Sequence, residues 1–187
     1  MMLTIVGWVS TAIYLGNHGY LSTHRNYRPN IYYALNFIGA SGIVVSSAAI
    51  ASWQAVVVNV FWAGLSLLAL SGTALPESMR LSERWILTPL AILGAGGLAY
   101  GFADFPAGMA ALGWAATGLF SGGYLLFAAG AVRRRRFLLY NIFAAYGLVP
   151  ILYLDANWPV LALELAWGTI SIAGWVAAIR NPPQEHY

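Results

Sequence analysis

Long apolar runs, broken by short polar clusters, recur along the chain and set its elements. Seven stretches of mostly apolar residues, 3–22, 31–50, 53–72, 85–102, 108–130, 136–154 and 158–179, approach or reach the length of about 20 residues that a helix needs to cross roughly 30 Å of hydrocarbon. The fourth is the shortest and carries Pro89 near its start, where a first helical turn tolerates proline. Only Ala51-Ser52 separates the second run from the third, and only Asp155-Ala156-Asn157 the sixth from the seventh. Each of those pairs is predicted to form a tight hairpin. Residues 73–84 read as a short amphipathic connector whose charges nearly cancel.

The pattern also repeats. Gly7-Trp8, Thr11 and Gly16 recur as Gly113-Trp114, Thr117 and Gly122, an offset of 106. An offset of 105 aligns Asn36, Gly42, Trp53, Trp62 and Ser66 with Asn141, Gly147, Trp158, Trp167 and Ser171. Two three-helix units on either side of one extra helix must point the same way through a membrane, giving parallel repeats related by an axis along its normal. The expected fold is therefore all-α and polytopic, with seven transmembrane helices. Residues 1–72 form a first repeat, 73–107 the linker and an inverter helix, 108–180 a second repeat, and 181–187 a cytoplasmic tail. Gly94, Gly96 and Gly97 in the inverter are placed to let a neighbouring backbone approach closely.

Composition agrees: 60% of the residues are hydrophobic and 8% charged, far from the balance of a soluble domain. All nine cations are Arg, and the absence of lysine excludes a retinal Schiff base. The absence of cysteine removes disulfides and thiolate metal sites. Met1-Met2-Leu3-Thr4 offers neither a basic n-region nor a small-residue cleavage site, so the first run reads as a retained helix. Arg25 and Arg28 follow the first run, Arg80 and Arg84 the third, Arg133 to Arg136 the fifth and Arg180 the seventh, whereas the alternate loops hold Asp104 and Asp155. That segregation predicts an external N-terminus and a cytoplasmic C-terminus. Trp53 and Trp158 then stand at the outer interface and Trp85 at the inner one.

Polar residues inside the apolar runs are the candidate chemistry, since hydrocarbon makes them expensive. Asn59, Trp62 and Ser66 share one helical face, and Glu164, Trp167 and Ser171 share the equivalent one. Asn59 and Glu164 lie six residues past Trp53 and Trp158, about 9 Å below the outer interface. Asn36 and Asn141 lie at a comparable depth from the other side. These six, Asn36, Asn59, Trp62, Asn141, Glu164 and Trp167, are the expected substrate-binding residues, the indoles offering a stacking surface for a small planar or ring-shaped solute. Asn36 and Asn141 serve equally well as interhelical glue. A membrane carboxyl that exchanges protons is the usual device for coupling or for holding a cation. Glu164 is accordingly the expected proton-coupling residue; its plainer role is a neutral carboxyl donating one hydrogen bond. Thr11, Tyr14 and His18 form a further stripe, in which His18 reads as a capped, hydrogen-bonded side chain. Arg133, Arg134, Arg135 and Arg136 are expected to fix topology and touch anionic lipid, ahead of any acidic partner or nucleic acid. No phosphate loop, nucleophile–base pair or metal cluster is visible. The chain is thus expected to have no catalytic residues, metal or cofactor.

Gly7-Trp8 opening the first helix, Asn36 to Gly39 in the second, and Trp53, Asn59 and Trp62 in the third resemble the motifs of a family of small bacterial integral-membrane domains of uncharacterised function. The second repeat departs from them at Ala144 and Glu164. The resemblance implies a multi-pass protein of the bacterial inner membrane. More distantly, the layout is similar to that of the SWEET sugar transporters, which set paired Asn and Trp residues around a central solute pocket. That likeness implies a pocket at the interface between the repeats, lined by Asn59, Trp62, Glu164 and Trp167. The Pro-Gln signature and hinge prolines of that family are missing here. The expected function is a carrier or binder of a small neutral or cationic solute. The alternative is a non-catalytic accessory subunit with a membrane-protein partner, or a homo-oligomer.

Overall fold

A computed structural model describes residues 2–23, 28–73 and 82–180. Arg25, Arg80, most of the expected 73–84 connector and the 181–187 tail lie outside the described residues. Seven helices follow one another: α1 (Met2–Thr23), α2 (Pro29–Ala48), α3 (Trp53–Leu70), α4 (Glu83–Tyr100), α5 (Phe105–Ala128), α6 (Arg134–Leu154) and α7 (Trp158–Arg180). Proline begins α2 and occupies the first turn of α5, positions where the missing N–H costs nothing. The Asp104 carboxylate caps α5 by accepting from Ala107 N at 3.1 Å. Five helices, α2, α3, α5, α6 and α7, are long and apolar enough to cross a membrane. Of the other two, α1 carries Ser10, Thr11, Asn17 and His18, and α4 carries Glu83, Arg84 and Thr88 in its first two turns.

The chain divides into two compact units, one of Met1–Pro76 with Val149–Leu163, the other of Glu77–Leu148 with Glu164–Tyr187. In the first unit small residues bring α1 and α2 together. A methyl group on Gly42 would collide with the Ser10 hydroxyl, and one on Gly39 would stand 3.0 Å from the Tyr14 ring. Asn17 Nδ2 donates to Tyr32 O at 2.9 Å. Residues 149–163 join this unit through buried polar bonds. The Thr11 hydroxyl donates to Pro159 O at 3.0 Å, and Asn157 Nδ2 to the Ser47 hydroxyl at 3.0 Å. Gly7 admits the Pro159 ring, which a methyl group there would meet at 3.0 Å.

In the second unit α4 and α5 form a hairpin closed by glycine. A methyl on Gly97 would lie 2.8 Å from both Gly108 O and Leu112 N, and one on Gly108 would strike the Gly101 backbone. Of the three inverter glycines, only Gly97 is thus pressed against a neighbouring backbone; Gly94 has ordinary room beside Ala115, and Gly96 meets nothing within 4 Å. Gly147 faces Ala116, where a methyl would sit at 3.0 Å. Ala116 and Gly147 are the repeat equivalents of Ser10 and Gly42, so the same close approach is built twice. At the end of the expected connector, Glu83 starts α4, accepts from Arg136 Nη1 at 3.0 Å and takes the Tyr140 hydroxyl as a second donor.

Both hairpin turns have one geometry. Ala51 and Ala156 adopt left-handed backbone at φ 55° and 51°. Behind them, Ser52 N donates to Ser47 O at 3.0 Å and Asn157 N to Leu152 O at 2.9 Å, the long bond of a Schellman end. Gly72 and Gly130 close α3 and α5 in the same way, at φ 73° and 69°, where glycine carries no Cβ penalty. Alanine does carry it. Ala51→Gly and Ala156→Gly are therefore expected to stabilise the protein by about 0.5–1 kcal/mol each, read as a raised thermal midpoint in detergent. Gly97→Val is expected to abolish monodisperse folding on size-exclusion chromatography.

Candidate functional site

The polar face of α3 belongs to the first unit and is almost wholly internal. Asn59 is 3% exposed and Ser66 1%, and Asn36 of α2 is 5% exposed. Hydrogen bonds join them into a chain: Asn36 Nδ2 donates to the Ser66 hydroxyl at 2.9 Å, and that hydroxyl donates to Trp62 O at 2.8 Å. Asn59 folds back on its own helix, donating to Ala55 O at 2.8 Å. Trp62 is half-buried, its ring edge-on to Phe61 at 6.0 Å. A hydrogen-bonding amide one turn from a half-exposed indole can hold a small solute by one polar contact and one ring face.

Within the second unit the equivalent residues make different bonds. Asn141 Nδ2 folds back onto Phe137 O at 3.0 Å, while its carbonyl oxygen accepts from the Trp167 indole N–H at 3.3 Å. The Trp167 ring is thus held in place by Asn141, whereas Asn36 is occupied by Ser66. Ser171 and Glu164 are both buried, the carboxyl at 6% exposure, and no cation pairs with Glu164 among the described residues. A carboxyl so placed can donate one hydrogen bond when neutral or hold a cation when ionised.

Arg133 to Arg136 are all exposed, but they are not equivalent. Arg136 is paired with Glu83, and the Arg135 guanidinium lies 5.8 Å from the centre of the Trp175 ring. On α1, Tyr14 is buried beside Gly39, and Thr11 is committed to Pro159 O. Its repeat counterpart Thr117 is as buried, yet its hydroxyl has no hydrogen-bond partner among the described residues. Sequence reasoning missed the Glu83, Arg136 and Tyr140 cluster and the Asn157–Ser47 bond. Spacing along one helix cannot reveal either, since the partners stand 53, 57 and 110 residues apart.

A family model matches the chain twice, over residues 3–77 and 109–182. Neither the curated proteins nor the solved structures yield a match.

If the Asn36–Ser66 bond carries interhelical energy, a double-mutant cycle of Asn36→Ala and Ser66→Ala is expected to return a coupling of about 0.6 kcal/mol. Reversible unfolding in mixed detergent measures it, and additive losses would remove the bond from the account.

Proposed function

The chain belongs to this uncharacterised family in two tandem copies, and from that premise we propose that it binds and carries a small neutral or cationic solute. The observation that carries the reading is that Asn59 in the first copy is matched by Glu164 in the second. Both are buried at equivalent positions, each one turn from a half-buried Trp, in helices apolar enough to span a membrane. A purely structural bond repeated in both copies has no need of a carboxyl in one of them. In this reading each copy offers its own polar group and ring: Asn59 supplies an amide donor and acceptor one turn from the Trp62 ring, and Glu164 lies one turn from the Trp167 ring, which Asn141 steadies. Glu164 neutralises a cation by giving up a proton, so solute and proton exchange at one group.

All seven helices cross the bacterial inner membrane in the same proposal, with the arginine-bearing ends cytoplasmic and the N-terminus outside. Seven spans in two parallel copies is the layout of SWEET-type carriers, which supports carriage over catalysis by analogy of architecture alone.

Native mass spectrometry of protein extracted from its own membranes should retain a small molecule on a lone chain or homo-oligomer. A stoichiometric foreign protein with no bound solute would make the chain an accessory subunit instead. With the retained molecule in hand, Asn59→Ala is expected to weaken its binding about fivefold, the loss of one neutral hydrogen bond. Glu164→Gln is expected to flatten the pH dependence of its uptake into proteoliposomes. Unchanged binding and uptake in both variants would end the proposal.

A further inference from the structure

The arginine run follows the Gly130 turn, where the chain reverses from α5 into α6, and it folds around a cavity of about 580 Å³ lined by Ala131, Val132, Arg133, Arg135, Arg136 and Leu139. That size falls within the roughly 300–1,000 Å³ of clefts that take small ligands. Three of the four consecutive arginines face it; Arg134 does not. Two of the three are braced from outside the run. Arg136 is held by Glu83 at 3.0 Å, and Arg135 is set against the Trp175 ring. Among the described residues, the lining carries three guanidinium groups and no carboxylate, and Glu83 pairs with one of the three. A planar guanidinium matches a phosphate oxygen pair in a way a point charge does not. The remaining wall is apolar: Val132 is buried and Leu139 half-buried. Leu139 lies in α6, one of the helices apolar enough to cross a membrane, which begins at Arg134 inside this same run. Cation and hydrocarbon walls therefore meet at the end of a span.

We infer that this cavity is a binding site for the phosphodiester headgroup of an anionic phospholipid, with Arg133, Arg135 and Arg136 on the phosphate and Val132 and Leu139 against the adjoining methylenes. A free phosphate would satisfy the same guanidinium groups but would leave the apolar wall without a partner. A diffuse attraction to the membrane surface would use all four arginines alike, whereas the cavity uses three. The site stands whether or not the chain carries a solute, because none of its residues is shared with the polar faces of α3 and α7.

The test uses the full chain purified in detergent and titrated with phosphatidylglycerol or with phosphatidylcholine of the same acyl chains, followed by native mass spectrometry. One phosphatidylglycerol should be retained in preference to phosphatidylcholine. Arg133→Ala and Arg135→Ala should each weaken that retention about tenfold, the loss of a charge-assisted bond, while Arg134→Ala should change it less than twofold. Arg135→Lys keeps the charge and loses the fork, and should fall between; with Arg133→Ala it carries the test if Arg135→Ala fails to elute as a monodisperse species. Equal losses at Arg133, Arg134 and Arg135 would reduce the effect to surface charge and overturn the site. So would equal retention of the two lipids. Displacement of the lipid by glycerol 3-phosphate or inorganic phosphate at matched concentration would assign the cavity to a soluble phosphate instead.

Discussion

Polar groups in these helices turn back onto the backbone that carries them. Asn59 bonds Ala55 O, Ser66 bonds Trp62 O, Asn141 bonds Phe137 O and Thr169 bonds Leu165 O, each four residues back along its own helix. Hydrocarbon offers no water to take an unmet donor, so a polar side chain must find a carbonyl within reach or a partner on the next helix. The same demand shapes the turns, where one left-handed residue lets a single N–H reach five residues back and spare a helix end its orphan carbonyl. Helices that satisfy themselves in this way are brought together by close packing and by the few polar bonds left over, such as Asn36 to Ser66 and Thr11 to Pro159 O. Glycine supplies the approach at Gly42 and Ser10, at Gly147 and Ala116, and at Gly97 and Gly108.

Much of this was legible from the residues. Helix positions follow from run length and apolarity, both of which are properties of a single segment. Predicted spans and observed helices accordingly differ by at most three residues at their ends, as for 31–50 against Pro29–Ala48. The hairpin turns were legible for the same reason: four or fewer residues between two long runs leave little choice of geometry. The repeat was legible because it is a comparison of the chain with itself, and two matches of one family model cover the same stretches.

Partner choice was not legible. Asn36 and Asn141 occupy equivalent places, yet the first is spent on a serine hydroxyl and the second holds an indole N–H. A difference of that kind depends on rotamers of neighbouring rings, which no spacing rule encodes. Ser52 gives a second instance. It is the counterpart of Asn157, but Leu152 stands where the matching Ser47 would be, and the Ser52 hydroxyl is buried with no partner among the described residues. The two copies share their turns and the glycines Gly7, Gly16 and Gly42, which recur as Gly113, Gly122 and Gly147, while their polar pairings have drifted apart. Close packing tolerates few alternatives to glycine, whereas an amide can exchange one acceptor for another at small cost.

The first compact unit takes its last piece, residues 149–163, from late in the chain. During synthesis the opening three helices leave the ribosome well before Pro159 exists to accept from Thr11 or Asn157 to donate to Ser47. At about 5–20 residues per second, the 87 residues from Pro76 to Leu163 take roughly 4–17 s to make. Throughout that interval two buried hydroxyls and the bare face of Gly7 must be covered by something else, whether lipid, the insertion machinery or a transient neighbour. The nascent protein is thus obliged to pass through a partly assembled state that no equilibrium measurement on the finished chain would reveal.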